Sequence, residues 1–136
     1  MKFLLDTNVV SEPLRPVPSA RVLRNLRRYE AELAIPSIVW HELRFSVERL
    51  PQSRRRYAIA RYLSDVVLLA MPILDYNDAA ADWHAVERAR LAATGITPPF
   101  ADGQIAAIAA TQGLQIVTAN VRDFQHFRGL KVVDWR

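Results

Sequence analysis

The chain reads as a three-layer α/β/α sandwich around a central parallel sheet of about five strands. Three features predict this. Short apolar runs alternate with helix-like stretches along all 136 residues, as β–α–β units do. Crossovers between parallel strands are right-handed, which lays the helices against both faces of the sheet. No Ser/Gly-rich linker, internal repeat or low-complexity tract interrupts the pattern. A single domain over residues 1–136 is therefore expected, long enough to enclose a substantial core.

KFLLD near the start reads as a first buried strand. Pro13, Pro16 and Pro18 mark a loop, after which Ser19 can cap a helix running to about Tyr29. ELAIP (32–36) is a short second strand. Ser37 is expected to cap the helix over IVWHELRFSVERL, whose Val39, Leu43, Val47 and Leu50 recur at helical spacing. Pro51 breaks that helix, and another starts near Ser53 with Ile59, Tyr62, Leu63 and Val66 on one side. MPILD (71–75) is a third strand. Asn77 or Asp78 caps the next helix, which runs to about Thr94 with Gly95 as its C′ residue. ITPPF is a loop, and a small-residue helix begins near Ala101 and stops at Gly113. QIVT (115–118) is a fourth strand, residues 121–127 a short helix, and KVVDW (131–135) a last strand.

Composition excludes several classes. An apolar fraction of 51% with 24% charge suits a globular domain, and no uncharged run of about 18 apolar residues crosses a membrane. The first residues enter a strand without an h-region or cleavage site, so export is not expected. The absence of cysteine removes disulfides and thiolate metal sites and fits a cytoplasmic protein. The net charge of +4 is unevenly distributed. Residues 15–61 hold eleven Arg against four Glu, whereas the remainder holds seven Lys/Arg against ten Asp/Glu. A basic segment of this kind is what contact with a phosphate backbone uses, although arginines also solvate helix faces.

The acids matter because of where they fall. In parallel sheets ligands bind beyond the carboxyl ends of the strands. Asp6 closes the first strand, Asp102 stands in the first turn of an otherwise nearly uncharged helix, and Glu42 lies in the second turn of the helix after strand two. Singly, each has a plain explanation: a helix-dipole contact worth about 0.3–1 kcal/mol for Asp102, an ordinary surface position for Glu42. Together they bring three carboxylates to one edge, where repulsion is relieved by protonation or a cation. Oxygen ligands without Cys or clustered His point to a hard ion, Mg²⁺ or Mn²⁺, able to activate water for phosphodiester cleavage. His41, His84 and His126 are scattered, and only His41 lies beside one of these acids. Thr118, Asn120 and Asp123 follow strand four, and Asn8 follows strand one. Asn8 and Thr118 are candidates for orienting ligands and water.

LLDTNVVSEPLRP, IPSIVWHEL, PPFADGQIAAIA and LQIVTANVRDF, with Asp6, Glu42, Asp102 and Asn120 spaced by 36, 60 and 18 residues, resemble the PIN domain. The likeness is greatest to its VapC/FitB type of toxin ribonuclease and covers essentially the whole chain. It implies a Mg²⁺- or Mn²⁺-dependent endoribonuclease with metal ligands at Asp6, Glu42 and Asp102, usually a homodimer. It also implies a VapB-like antitoxin partner, with operator DNA bound only through that antitoxin. The family's fourth acidic position falls on Asn120 here. Either Asn120 completes the site as a neutral ligand or Asp123 supplies the charge. Trp40, Phe45, Tyr57 and Tyr62 are candidates to line a groove for an antitoxin helix.

Other classes fit less well. A phosphatase of the haloacid-dehalogenase type needs an Asp where Asn8 stands, and a receiver domain needs an acidic pair before the phosphoacceptor strand and a Lys after the last strand, neither of which is present. A catalytically weak PIN-fold binding module within a DNA-binding complex is the remaining alternative. The intact Asp6, Glu42 and Asp102 weigh against it.

Overall fold

A computed structural model describes residues 1–136. Five parallel strands form the sheet: β1 (Phe3–Leu5), β2 (Leu33–Pro36), β3 (Ile73–Leu74), β4 (Gln115–Val117) and β5 (Val132–Val133), in the order β3-β2-β1-β4-β5. Leu4 pairs with Ala34 on one side and with Ile116 on the other, so β1 is the central strand. From β1 the chain steps outward through β2 to β3, then crosses back to place β4 on the other side of β1. The order thus reverses between β1 and β4, and the crevice beyond their carboxyl ends is where such sheets bind ligands.

Seven α-helices connect the strands: α1 (Thr7–Val10), α2 (Ala20–Arg28), α3 (Ser37–Glu48), α4 (Arg54–Tyr62), α5 (Leu68–Ala70), α6 (Asp78–Ala93) and α7 (Phe100–Gln112). Right-handed crossovers place α2 to α5 on one face and α6 and α7 on the other, giving the expected three layers. The strands are short but almost wholly apolar. Leu4, Leu5, Ala34, Ile35, Ile116 and Val117 are fully buried, as strands covered on both faces must be. From α7, Ile105 to Ala109 are all buried, the small alanines allowing close approach to the sheet. Phe3, Tyr29 and Trp135 form an aromatic cluster, with Trp135 edge-on to Phe3 and stacked on Tyr29, which anchors the C-terminal residues.

Several boundaries follow their sequence signals. Ser19 and Asn77 accept hydrogen bonds from Val22 N and Ala80 N, capping α2 and α6. Gly113 closes α7 in the left-handed conformation at φ 68°. Four expectations are corrected. Ser37 is the first residue of α3, not its cap; Pro36 holds that position and makes no side-chain hydrogen bond. Proline at 36 already fixes the extended entry to the helix. Helix α7 starts one residue early, at Phe100 behind Pro99. The helix after Ser53 is not continuous: its Leu63–Val67 turn is π-helical, with Leu63 and Val67 buried and Val66 turned to solvent. Residues 121–127 form only a 3₁₀ turn at Val121–Phe124.

Candidate active site

The residue after β1 is the hub. Asp6 is the N-cap of α1, a four-residue helix, and its Oδ1 accepts from Thr7 N at 2.8 Å. Its Oδ2 accepts from Thr118 Oγ1, also at 2.8 Å, and Asn8 Nδ2 approaches the same oxygen at 3.4 Å. Thr118 is fully buried at the end of β4 and also accepts from Asn120 N. Asn8 Oδ1 accepts from Ala119 N at 2.9 Å. The ends of the two strands at the switch point are thus sewn together through the Asp6 carboxylate and the Asn8 amide. Burial is the main cause of a raised Asp6 pKa, opposed by these hydrogen bonds and reinforced by the charges of Glu42 and Asp123.

Glu42 enters from α3. Thr7 Oγ1 donates to its Oε2 at 2.7 Å, across 35 residues of chain. Thr7 therefore holds two acids, one through its backbone N–H and one through its hydroxyl. Sequence reading missed it. The available signal was Asp-Thr-Asn after a strand, an N-cap pattern, but a four-residue helix shows no periodicity.

Asp102 is the third residue of α7, half-buried, and accepts no protein hydrogen bond. Its carboxyl is pushed up to about 6, first by burial and then by the charges of Asp123, Asp6 and Glu42. Asp123 is exposed in the 3₁₀ turn after β4, and its charge acts on both Asp6 and Asp102. Asn120 is exposed beside it. Four carboxylates from four connections therefore share one field. No three of them close to the spacing of a ready-made metal cage, and Glu42 is turned towards Thr7. The donor set itself consists of carboxylate, hydroxyl and amide oxygens. That set suits a hard cation, and Mg²⁺ keeps several waters and needs only one or two carboxylates from a protein.

The helix carrying Asp102 is seated by a close contact. A Cβ on Gly103 would lie 2.1 Å from His84 Nε2. His84 is buried on α6, and its Nδ1 is 2.8 Å from Tyr76 Oη. His84 is a packing residue whose ring sets how near α7 comes to α6.

Residues 3–130 match the family described as PIN domain. The chain belongs to the PIN-domain family. This PIN domain is 32% identical over 135 residues to the tRNA(fMet)-specific endonuclease VapC of Shigella flexneri, spanning 99% of this chain and 98% of that one. It is 34% identical over 125 residues to Toxin FitB of Neisseria gonorrhoeae, spanning 90% of each. Among solved structures it resembles the DNA-bound VapBC of Salmonella typhimurium, with a TM-score of 0.84 and 28% identity over 100% of this chain and 99% of that one.

Other surfaces of the PIN domain carry the aromatic residues singled out in the sequence. Of the four aromatic residues expected to line a partner groove, Phe45 and Tyr57 are exposed on α3 and α4, and Trp40 is partly buried against the core. Tyr62 donates its hydroxyl to Val10 O at 2.7 Å and lines a cleft with Leu23, Leu26 and Met71. A larger cleft of about 490 Å³ lies between the loop after α1 and helices α3 and α4. Leu14, Leu43 and Ile59 line it together with Arg15, Arg49 and Arg55, and none of the four expected aromatics does. Glu12 is a further residue the sequence did not flag. It is buried, and its Oε1 accepts from Ser19 N at 2.8 Å, fixing the proline-rich loop to the start of α2.

Proposed function

We propose that this chain is a divalent-metal-dependent endoribonuclease, the toxin half of a VapBC-type toxin–antitoxin pair. The observation that carries the reading is the meeting of Asp6, Glu42, Asp102 and Asp123 at the switch point, in a chain alike over its full length to a VapC endonuclease. Asp6, Glu42 and Asp102 would hold Mg²⁺ or Mn²⁺. When bound, such an ion would acidify a water and offset negative charge developing on the phosphodiester.

The chain's own residues supply positioning. Thr118 and Thr7 N–H fix the Asp6 carboxylate by two short hydrogen bonds, and Thr7 Oγ1 holds the Glu42 carboxylate. Asn8 keeps the ends of β1 and β4 in register through Ala119 N. Asp102 has both oxygens uncommitted, so it can take a ligand or a proton without breaking an internal bond. Asp123 provides the fourth negative charge, the role left open between it and Asn120. Asn120, exposed with a free amide, would donate to a phosphate oxygen or ribose hydroxyl.

Substrate approach follows from charge. Of the eleven arginines between residues 15 and 61, Arg15, Arg44, Arg56 and Arg61 are paired with acids, leaving seven without a carboxylate partner. These would steer a phosphate backbone. The resemblance to a VapBC complex supports an antitoxin partner. The test is cleavage of RNA by purified, antitoxin-free protein. Activity is expected with Mn²⁺ or Mg²⁺, to vanish in EDTA, and to fall about a hundredfold or more in Asp6→Asn. Undiminished cleavage in EDTA would refute the metal-dependent mechanism.

A further inference from the structure

Phe100, the first residue of α7, is 51% exposed although it is aromatic and lies two residues before Asp102. Its seat is rigid. The ring packs 4.8 Å from the buried His84 ring and 6.3 Å from Tyr76, and His84 is itself held by Tyr76 Oη and closed in by Gly103. Above it stands Arg88 of α6, with its guanidinium carbon 5.4 Å from the ring centroid. Arg88 is exposed and takes part in no ion pair or side-chain hydrogen bond, unlike its neighbour Arg90, which is bound to Glu87. A half-exposed aromatic ring and an unpaired cation lie together at the start of α7, the helix that carries Asp102.

The geometry points to Phe100 as a stacking platform for the nucleobase next to the cut phosphodiester, with Arg88 engaging an adjoining phosphate. The inference rests on the ribonuclease reading and deepens it by naming a residue that positions the RNA. Bases stack on aromatic side chains whatever their identity, and arginine adds both charge and cation–π attraction. A second copy of the chain could also cover an exposed ring, but an unpaired cation over that ring favours a polyanion over a like-charged copy. The site acids would repel RNA unless neutralised, so stacking and phosphate contacts at the rim carry binding that the metal-free carboxylates cannot.

The test uses the full chain with Asp6→Asn, which holds RNA uncut, in Mg²⁺. A set of short single-stranded RNAs carries 2-aminopurine at successive positions. One position is expected to be quenched on binding. Adding Phe100→Leu should weaken binding about 5- to 100-fold, Phe100→Trp should restore it, and Arg88→Gln should lower the salt slope by about one. An abasic nucleotide at the quenched position should abolish the Phe100→Leu penalty, a result that general misfolding would not give. Equal affinity of Phe100→Leu and its parent overturns the inference. So does a change from dimer to monomer in Phe100→Leu without loss of RNA affinity, which would assign the ring to a second copy. If the native sequence neither binds nor cuts RNA, the ribonuclease reading itself fails, and that is seen before any Phe100 variant is made.

Discussion

Thr7 illustrates how one small side chain sets the chemistry of two large ones. Its N–H fixes Asp6 and its hydroxyl fixes Glu42. Thr7→Val keeps the shape and the N–H but leaves Glu42 without its donor. Turnover is expected to fall about 10- to 100-fold with little change in melting temperature, whereas Thr7→Ser should retain most activity. Full activity in Thr7→Val would show that Glu42 needs no such restraint. Asp102 gives a second residue-scale expectation. Its folded pKa of about 6 lies above the ordinary 3.8, and Asp6 is raised in the same direction. The folded chain therefore binds these protons more tightly than the unfolded chain does. Stability of the metal-free protein should rise as pH falls from above 6 towards 4, and the gain is absent above that window. Below it, Glu87 and Asp134, whose pKa values their arginine partners lower, lose their contributions. Asp102→Asn should raise metal-free stability at pH 7 by on the order of 1–2 kcal/mol, allowing for solvent screening, and flatten that slope. Thermal melts across pH in EDTA measure both.

At the scale of elements, the α6–α7 pair decides where Asp102 points. Gly103 is required not for its backbone freedom but because His84 fills the place of a side chain. Gly103→Ala is expected to cost about 1–3 kcal/mol by overpacking and to lower activity by shifting the start of α7. Combining it with His84→Ala should cost less than the two changes added separately. Strict additivity would mean that the helices are not held apart by this contact. The far end of α6 is tied by another polar clamp: Glu87 accepts from Arg90 and from Arg128 N, joining α6 to the loop before β5. These contacts were not legible in the sequence. A buried histidine and a helical glycine 19 residues apart carry no local signal of meeting.

Across the whole molecule, what the sequence made legible was local. Ser19, Asn77 and Gly113 mark helix ends by chemistry that acts within a few residues, and apolar runs mark strands buried on both faces. The sites of Asp6, Asp102 and Glu42 relative to the sheet followed from parallel topology. The four-residue α1 and the π-helical turn did not follow, since neither has a period long enough to read. The clefts themselves were not legible either, since each is lined by side chains from separate helices and loops. The field of the molecule is also a whole-chain property: seven arginines without acid partners occupy the basic segment, while Asp6, Glu42, Asp102 and Asp123 share one field beyond the strand ends. RNA binding by Asp6→Asn should weaken steeply with added salt, and replacing Arg24, Arg27 and Arg28 by Gln should reduce the slope of log K against log salt. A salt-independent affinity would remove the arginines from the substrate path.

Acids from distant parts of the chain are held close enough to feel one another, and the proposed function requires a divalent ion to relieve that repulsion. Carbon-detected NMR titration of the Asp102 carboxyl, without metal and then with saturating Mg²⁺, reads this most directly. A midpoint near 6 that falls well below 5 on adding Mg²⁺ is the expected result. A midpoint near 4 that Mg²⁺ leaves unmoved would contradict it.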